Sequence, residues 1–202
     1  MRVVERQLAA VAMACFGLVP LAGQTNVAPG TAAVDIVRDL LRSLWTYEGD
    51  GRPNASRQIG FQLPESAVNL YLASSLARSP RPMIESLQVQ LLPGNRCIVE
   101  AKIDFDALDR NEPAIFSEAE RKHLSGSKLV RAEFRFSVSA GALTFEPKPL
   151  KSEVTPSKHQ LQNMIGLIAA KQPEKIDAAR KIPVPFGLRK LWTSNGVLHG
   201  ET

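Results

Sequence analysis

Two cysteines and three histidines are all that 202 residues supply of the side chains that bridge or bind soft metals. A disulfide framework needs more cysteines, and a zinc site would consume nearly the whole set. His123, His159 and His199 stand far apart, and none has a metal-ligand neighbour at helical or hairpin spacing. Each is read as a surface residue, and no metal and no cofactor is expected. A Gly-rich phosphate loop, a nucleophilic-serine elbow and a Cys pair are also missing, which removes the common signatures of phosphoryl and acyl transfer. No internal repeat and no low-complexity tract is found.

What is present is the balance of an ordinary folded chain, with 44% hydrophobic and 22% charged residues. This excludes a disordered chain, a collagen and a multi-span membrane protein. Lys and Arg number 25 against 20 Asp and Glu, a formal net charge of +5. The N-terminus has its own character. Arg2, Glu5 and Arg6 precede an almost wholly apolar run, Leu8–Ala22, that ends in Leu21-Ala22-Gly23. A basic start, an apolar run and a small-residue exit are the layout of a secretory signal peptide. The run falls short of the roughly 20 apolar residues that span a bilayer comfortably. Residues 1–23 are therefore expected to be removed, leaving an exported protein, periplasmic or secreted, that begins near Gln24; a retained anchor is the alternative. Removal of Arg2, Arg6 and Glu5 lowers the net charge by one, and Cys15 leaves with them. Cys97 then stands alone beside Ile98-Val99 and is expected to be a buried packing residue.

The remaining chain reads as an α+β fold, a single domain after the signal peptide. Residues 24–60 are expected to hold an N-terminal helix and a flexible loop, and residues 61–202 the main domain. Thr31 caps a helix to about Trp45, with Val37, Leu40, Leu41 and Leu44 at helical spacing. Pro64 suits the first turn of a second helix to about Ala77, with Val68, Leu72 and Leu76 on one face. Leu87, Val89 and Leu91 alternate with polar residues, and Pro93-Gly94-Asn95 turns the chain. Val99, Ala101, Ile103 and Phe105 then alternate with Glu100, Lys102, Asp104 and Asp106, which predicts a hairpin with one wet face. A second hairpin is predicted from Val130, Ala132, Phe134, Phe136 and Val138, the Ala140-Gly141 turn, and Leu143 and Phe145. Lys148–Val154 is expected as an irregular edge strand, since Pro147 and Pro149 cannot donate to a central ladder. Ser117-Glu118-Ala119-Glu120 is a capping box for a short surface helix. Thr155-Pro156 opens a helix whose apolar stripe is Leu161, Met164, Ile165 and Ile168, and Asp177 and Lys181 form a later i,i+4 pair. Residues 182–188 are expected to be extended, with a last strand over residues 196–199.

Asp104, Asp106 and Glu100 share a strand face in this reading, so paired-carboxylate chemistry is conceivable there. Lys102 among them and the regular alternation make a solvated sheet face the simpler account. Arg131 and Arg135 also share a face, broken by Glu133, and Arg189-Lys190 sit beside Trp192. Nucleic acid is not expected as a partner of an exported chain. Attraction to an anionic membrane surface or to envelope polymers is the intermediate reading. Oligomeric state is not legible.

The stretch Leu63-Pro64-Glu65-Ser66-Ala67-Val68-Asn69-Leu70-Tyr71-Leu72-Ala73 resembles the opening helix of small exported bacterial domains related to the TULIP-type (tubular lipid-binding) superfamily. In those an acidic residue precedes an apolar-Asn pair and further leucines. The order of the runs 87–92, 98–105, 129–138 and 143–145, the helix 157–170 and the Pro-rich return 182–186 is similar as well. The resemblance covers about residues 61–200. It implies a curved antiparallel sheet packed against one or two long helices, an apolar groove for lipid chains, and action by binding without catalytic residues. The expected function is thus an exported, non-enzymatic envelope protein that binds a lipid or other apolar ligand. The expected groove lining is Leu72, Leu76, Val89, Ile103, Phe105, Phe134, Phe136, Leu161, Met164, Ile165 and Ile168. On this reading Phe136→Ala removes wall rather than core and costs little stability. The alternative is a structural or protein-interaction module whose apolar faces are simply its core.

Overall fold

A computed structural model describes residues 31–49, 59–78, 83–111, 124–139, 142–162, 182–183 and 188–202. The run expected to be a signal peptide, the expected Ser117 capping box and Asp177–Lys181 pair, and most of the 161–168 stripe lie outside the described residues. In chain order the elements are α1 (Thr31–Gly49), β1 (Gly60–Pro64), α2 (Glu65–Arg78), β2 (Ile84–Leu92), β3 (Arg96–Asp104), α3 (Phe105–Asn111), β4 (Ser127–Ser139), β5 (Ala142–Pro149), β6 (Ile182–Pro183), β7 (Lys190–Ser194) and β8 (Val197–Glu201). They make a single α+β domain with two antiparallel sheets, one ordered β2-β3-β4-β5-β6 and one ordered β1-β8-β7.

The larger sheet is built from the two predicted hairpins. Leu91 pairs with Cys97, Val89 with Val99 and Leu87 with Ala101; Cys97, Val99 and Ala101 then pair with Phe134, Ala132 and Val130. Phe136 pairs with Phe145 and Val138 with Leu143. Directly paired residues share a face, so these side chains form one apolar surface across four strands. The tight turn between β2 and β3 needs left-handed backbone, which Gly94 (φ 79°) and Asn95 (φ 60°) provide.

The helices cover this surface. One buried cluster joins Val37 of α1, Leu63 of β1, and Ala67, Val68 and Leu72 of α2 to Leu87, Val89, Leu91, Cys97, Ala132 and Phe134 of the sheet. A second joins Leu44 of α1 to Phe136, Leu143, Leu188 and Leu191. A third holds Ile103, Phe105, Leu108 and Val130 at the far end. Helix α1 thus belongs to the same core as the sheet, and it runs one turn beyond the expected Trp45.

Several local expectations are corrected. The alternation through Phe105 is not one strand: β3 stops at Asp104, and Phe105 begins α3. The cause is a cap, since the Asp104 carboxylate accepts the Ala107 N–H at 3.0 Å. Asp106 therefore lies in the first turn of a helix and does not share a strand face with Glu100. Pro64 ends β1 and does not enter α2, whose first N–H, that of Glu65, donates to the Gly196 carbonyl at 2.8 Å. Pro147 and Pro149 belong to β5, opposite Phe134 and Ala132, near the open edge where a missing donor does least harm. Beyond them the chain follows β4 through side chains as well as backbone. Glu153 accepts the Leu129 N–H at 2.6 Å, Ser152 Oγ accepts the Arg131 N–H at 3.2 Å, and Val154 bridges Val130. The helix expected from Thr155-Pro156 is capped by Ser157, in a reciprocal box with Gln160.

The smaller sheet had one predicted strand and has three. Its hairpin turns at Asn195 (φ 46°) and Gly196 (φ 76°), both left-handed as a two-residue hairpin requires. Phe61 pairs with Gly200, and a Cβ on Gly200 would come within 2.3 Å of the Phe61 ring. Glycine is what lets the ring lie across the strand and reach both main clusters.

Candidate functional site

The expected groove residues are distributed among the three clusters. Leu72, Val89, Phe134 and Leu161 are buried in the first, and Leu76 packs against it. Phe136 is in the second, and Ile103 and Phe105 are in the third. Met164, Ile165 and Ile168 lie outside the described residues. Closure is deep at several of these positions: Leu72 is 0% exposed and Phe136 3%.

One stretch of the inner face is less closed. Val99 and Ala101, at the centre of β3, are half-buried, although their register neighbours Val89, Ala132 and Val130 are only 2%, 3% and 5% exposed. Leu76 of α2 and Ile84 of β2 are half-buried too and pack against the same cluster. Accessible apolar surface therefore remains at the middle of β3, on Val99 and Ala101. Sequence pattern assigned Val99 and Ala101 to the inner face, but nothing in the pattern marked them as only half-buried there.

The edge of the sheet beside α2 is held by the residues on which the family resemblance turns. The Asn69 side chain accepts the Val89 N–H and donates to the Val89 carbonyl, both at 2.8 Å. The Glu65 carboxylate accepts the Leu91 N–H at 2.7 Å. Residues four apart on a helix face the same way, so α2 offers β2 the bonds that a further strand would have offered.

Charged groups on the solvent face are interleaved. Arg131 pairs with Glu100 at 3.1 Å, Arg96 with Glu133 at 3.4 Å and Lys102 with Glu85 at 2.8 Å. The Lys102 hydrogen bond, with one from Ser127, holds the Glu85 carboxyl below its usual range, and Glu85 in turn raises Lys102. Pairs this exposed contribute little to stability, because water and salt screen them. They mix the signs on this face and break up the basic patch suggested by Arg131 and Arg135. Among the described residues no group of three or more His, Cys, Asp or Glu is placed to hold a metal ion.

Cys97 is 1% exposed, and burial pushes its thiol up to about 12, with the Glu133 charge adding to the effect. The thiolate that reacts with disulfide reagents is then scarce at pH 8. Labelling of the native protein is expected to be slower than that of the denatured chain by roughly three orders of magnitude or more, from the thiolate fraction alone. Burst labelling of native protein would show a thiol open to solvent.

A polar cluster that sequence reading missed lies on the outward side of the smaller sheet. The Trp192 and His199 rings stack with centroids 5.1 Å apart and planes 6° apart. Ser194 Oγ lies 2.7 Å from His199 Nε2. In sequence His199 looks isolated; the Asn195-Gly196 turn was the signal that folds it back beside Trp192.

No family model matches this chain, and no curated protein matches it. Among the described residues no helix is long and apolar enough to cross a membrane.

Proposed function

We propose that the chain is an exported, non-enzymatic protein of the cell envelope that takes a lipid or other apolar ligand between its sheet and its helical layer. The observation that supports this most is that Val99 and Ala101, on the inner face of β3, are half-buried although Val89, Ala132 and Val130 beside them are buried. An alkyl chain laid there would exchange accessible apolar surface for contact, at about 25 cal/mol per Å² removed from water. The polar side chains nearest this layer are engaged in structure: Glu65 and Asn69 hold the β2 edge, and Asp104 caps α3. The positive net charge, +4 once residues 1–23 are removed, suits loading at an anionic membrane surface.

The test is binding of a fluorescent fatty-acid probe, with mass spectrometry of lipids extracted from the purified protein. Ala101→Phe fills the half-open stretch. It is expected to weaken probe binding by roughly tenfold or more while the protein stays folded, because the added ring occupies the ligand's place. Unchanged probe affinity in that variant would sink this reading. A second reading, an interaction module with no ligand, draws support from the complete closure of Leu72 and Leu143, each 0% exposed. It predicts that neither probe nor co-purified lipid is ever detected.

A further inference from the structure

The outward face of the smaller sheet carries an aromatic side chain that the core does not use. Gln62 pairs with His199 and His199 with Trp192, so three side chains stand in a row across β1, β8 and β7. Ser194 lies two residues from Trp192 on the same face and is bonded to the His199 imidazole at 2.7 Å. Among the described residues the charges on this face are Lys190 and Glu201, which pair at 2.9 Å. Trp192 belongs to none of the three apolar clusters among the described residues, so packing does not account for it. The strand beneath is firmly held, since Thr193 donates its N–H to Asn95 at 3.2 Å and its hydroxyl to the Leu92 carbonyl at 2.6 Å.

We infer that this face binds a neutral carbohydrate, with a pyranose ring seated against the Trp192–His199 stack. Three features of the face select that chemistry. An indole presents a negative ring face, which attracts the polarised C–H groups on the flat side of a pyranose. Gln62, Ser194 and His199 on the same sheet face add donors and acceptors that match ring hydroxyls, and an alkyl chain would leave those groups unpaired. Among the described residues the cation on this face, Lys190, is already held by Glu201, so the face does not favour a phosphate or carboxylate ligand. The stack and the Ser194 bond fix both rings before a ligand arrives, which lowers the ordering cost of binding. The inference does not rest on the lipid reading: the two sites lie on different sheets, and export matters only for which glycan is at hand.

The test is titration with the β-1,4-linked tetramer of N-acetylglucosamine, followed by Trp192 fluorescence in a Trp45→Phe background and by calorimetry on the unmodified chain. A shift in Trp192 emission with saturable binding is expected, weakened by roughly tenfold or more in Trp192→Ala and by about threefold in Gln62→Ala or Ser194→Ala. Gln62 is exposed and its truncation leaves the fold alone, so that variant decides the matter even if Trp192→Ala fails to fold. Ala101→Phe, at the proposed lipid site, is expected to bind the tetramer unchanged. No response up to about 10 mM tetramer, or an affinity indifferent to both Gln62→Ala and Ser194→Ala, overturns the inference.

Discussion

Phe136→Ala is expected to destabilise the protein by about 3–5 kcal/mol, the range for deleting a fully buried ring. Phe136 is 3% exposed and packs with Leu44, Leu143, Leu188 and Leu191. Its ring meets that of Phe145, the residue opposite it on β5, at 6.4 Å and 47°, a tilted aromatic contact. The neighbours come from α1, from β5, from the segment before β7 and from β7 itself. A cavity at Phe136 would therefore loosen the joint between the two sheets and the first helix, and none of these backbones can move in alone to refill it. Urea unfolding of wild type and variant measures the difference, read as a shift in midpoint at constant slope. A loss below about 1 kcal/mol would mean that Phe136 lines a space which stays open, as the sequence pattern alone suggested.

The gap between that suggestion and the packed cluster marks the limit of periodicity. Alternation along β4 fixes which side of the sheet Phe134 and Phe136 occupy. It carries no information about what covers them. Leu44, which helps close the Phe136 cluster, is at helical spacing in a segment nearly a hundred residues away. The same limit explains why the groove residues proved to be divided among three clusters: one inner face looks continuous in sequence, while α1, α2 and α3 cover different parts of it. Boundary errors had local causes. The alternation Val99 to Phe105 is unbroken in composition, yet Asp104 caps a helix and the last apolar residue of the series is helical. Strands β1 and β7 have only five residues each and were not anticipated. Asn195-Gly196 between them and the end of the chain was the legible sign of β7 and β8, because a two-residue hairpin turn requires left-handed backbone at both positions. What was fully legible is what depends on local rules alone: the two long hairpins, the helix stripe Val68 and Leu72, and the burial of Cys97 two residues before Val99.

Asn69→Leu is expected to cost about 2–4 kcal/mol despite putting a larger apolar residue against an apolar layer. Asn69 is half-buried, and its amide makes the two bonds that Val89 would make with a neighbouring strand. Leucine adds apolar volume but removes both partners, leaving a buried N–H and a buried C=O, each costing about 1–3 kcal/mol when unpaired. Val89 is 2% exposed, so water has little access to repair the loss. Asn69→Asp separates the two bonds: the carboxylate still accepts the Val89 N–H, but it turns a second oxygen towards the Val89 carbonyl where the amide donated. It should therefore also destabilise, and Asn69→Gln should not restore stability, because the extra methylene moves the amide out of register with the strand. Glu65→Gln, by contrast, keeps an acceptor for the Leu91 N–H and should cost less than either Asn69 substitution. A second consequence is colloidal. With the bracket gone, β2 becomes an edge with free donors and acceptors, and self-association that rises with concentration is expected by analytical ultracentrifugation. Full stability and a monomeric Asn69→Leu would show that the Glu65–Asn69 pair contributes nothing to holding the edge. If the losses appear, the acid–apolar–Asn pattern is accounted for by the strand it guards, and the pattern by itself specifies the packing of a helix along a sheet edge, independent of what the protein binds.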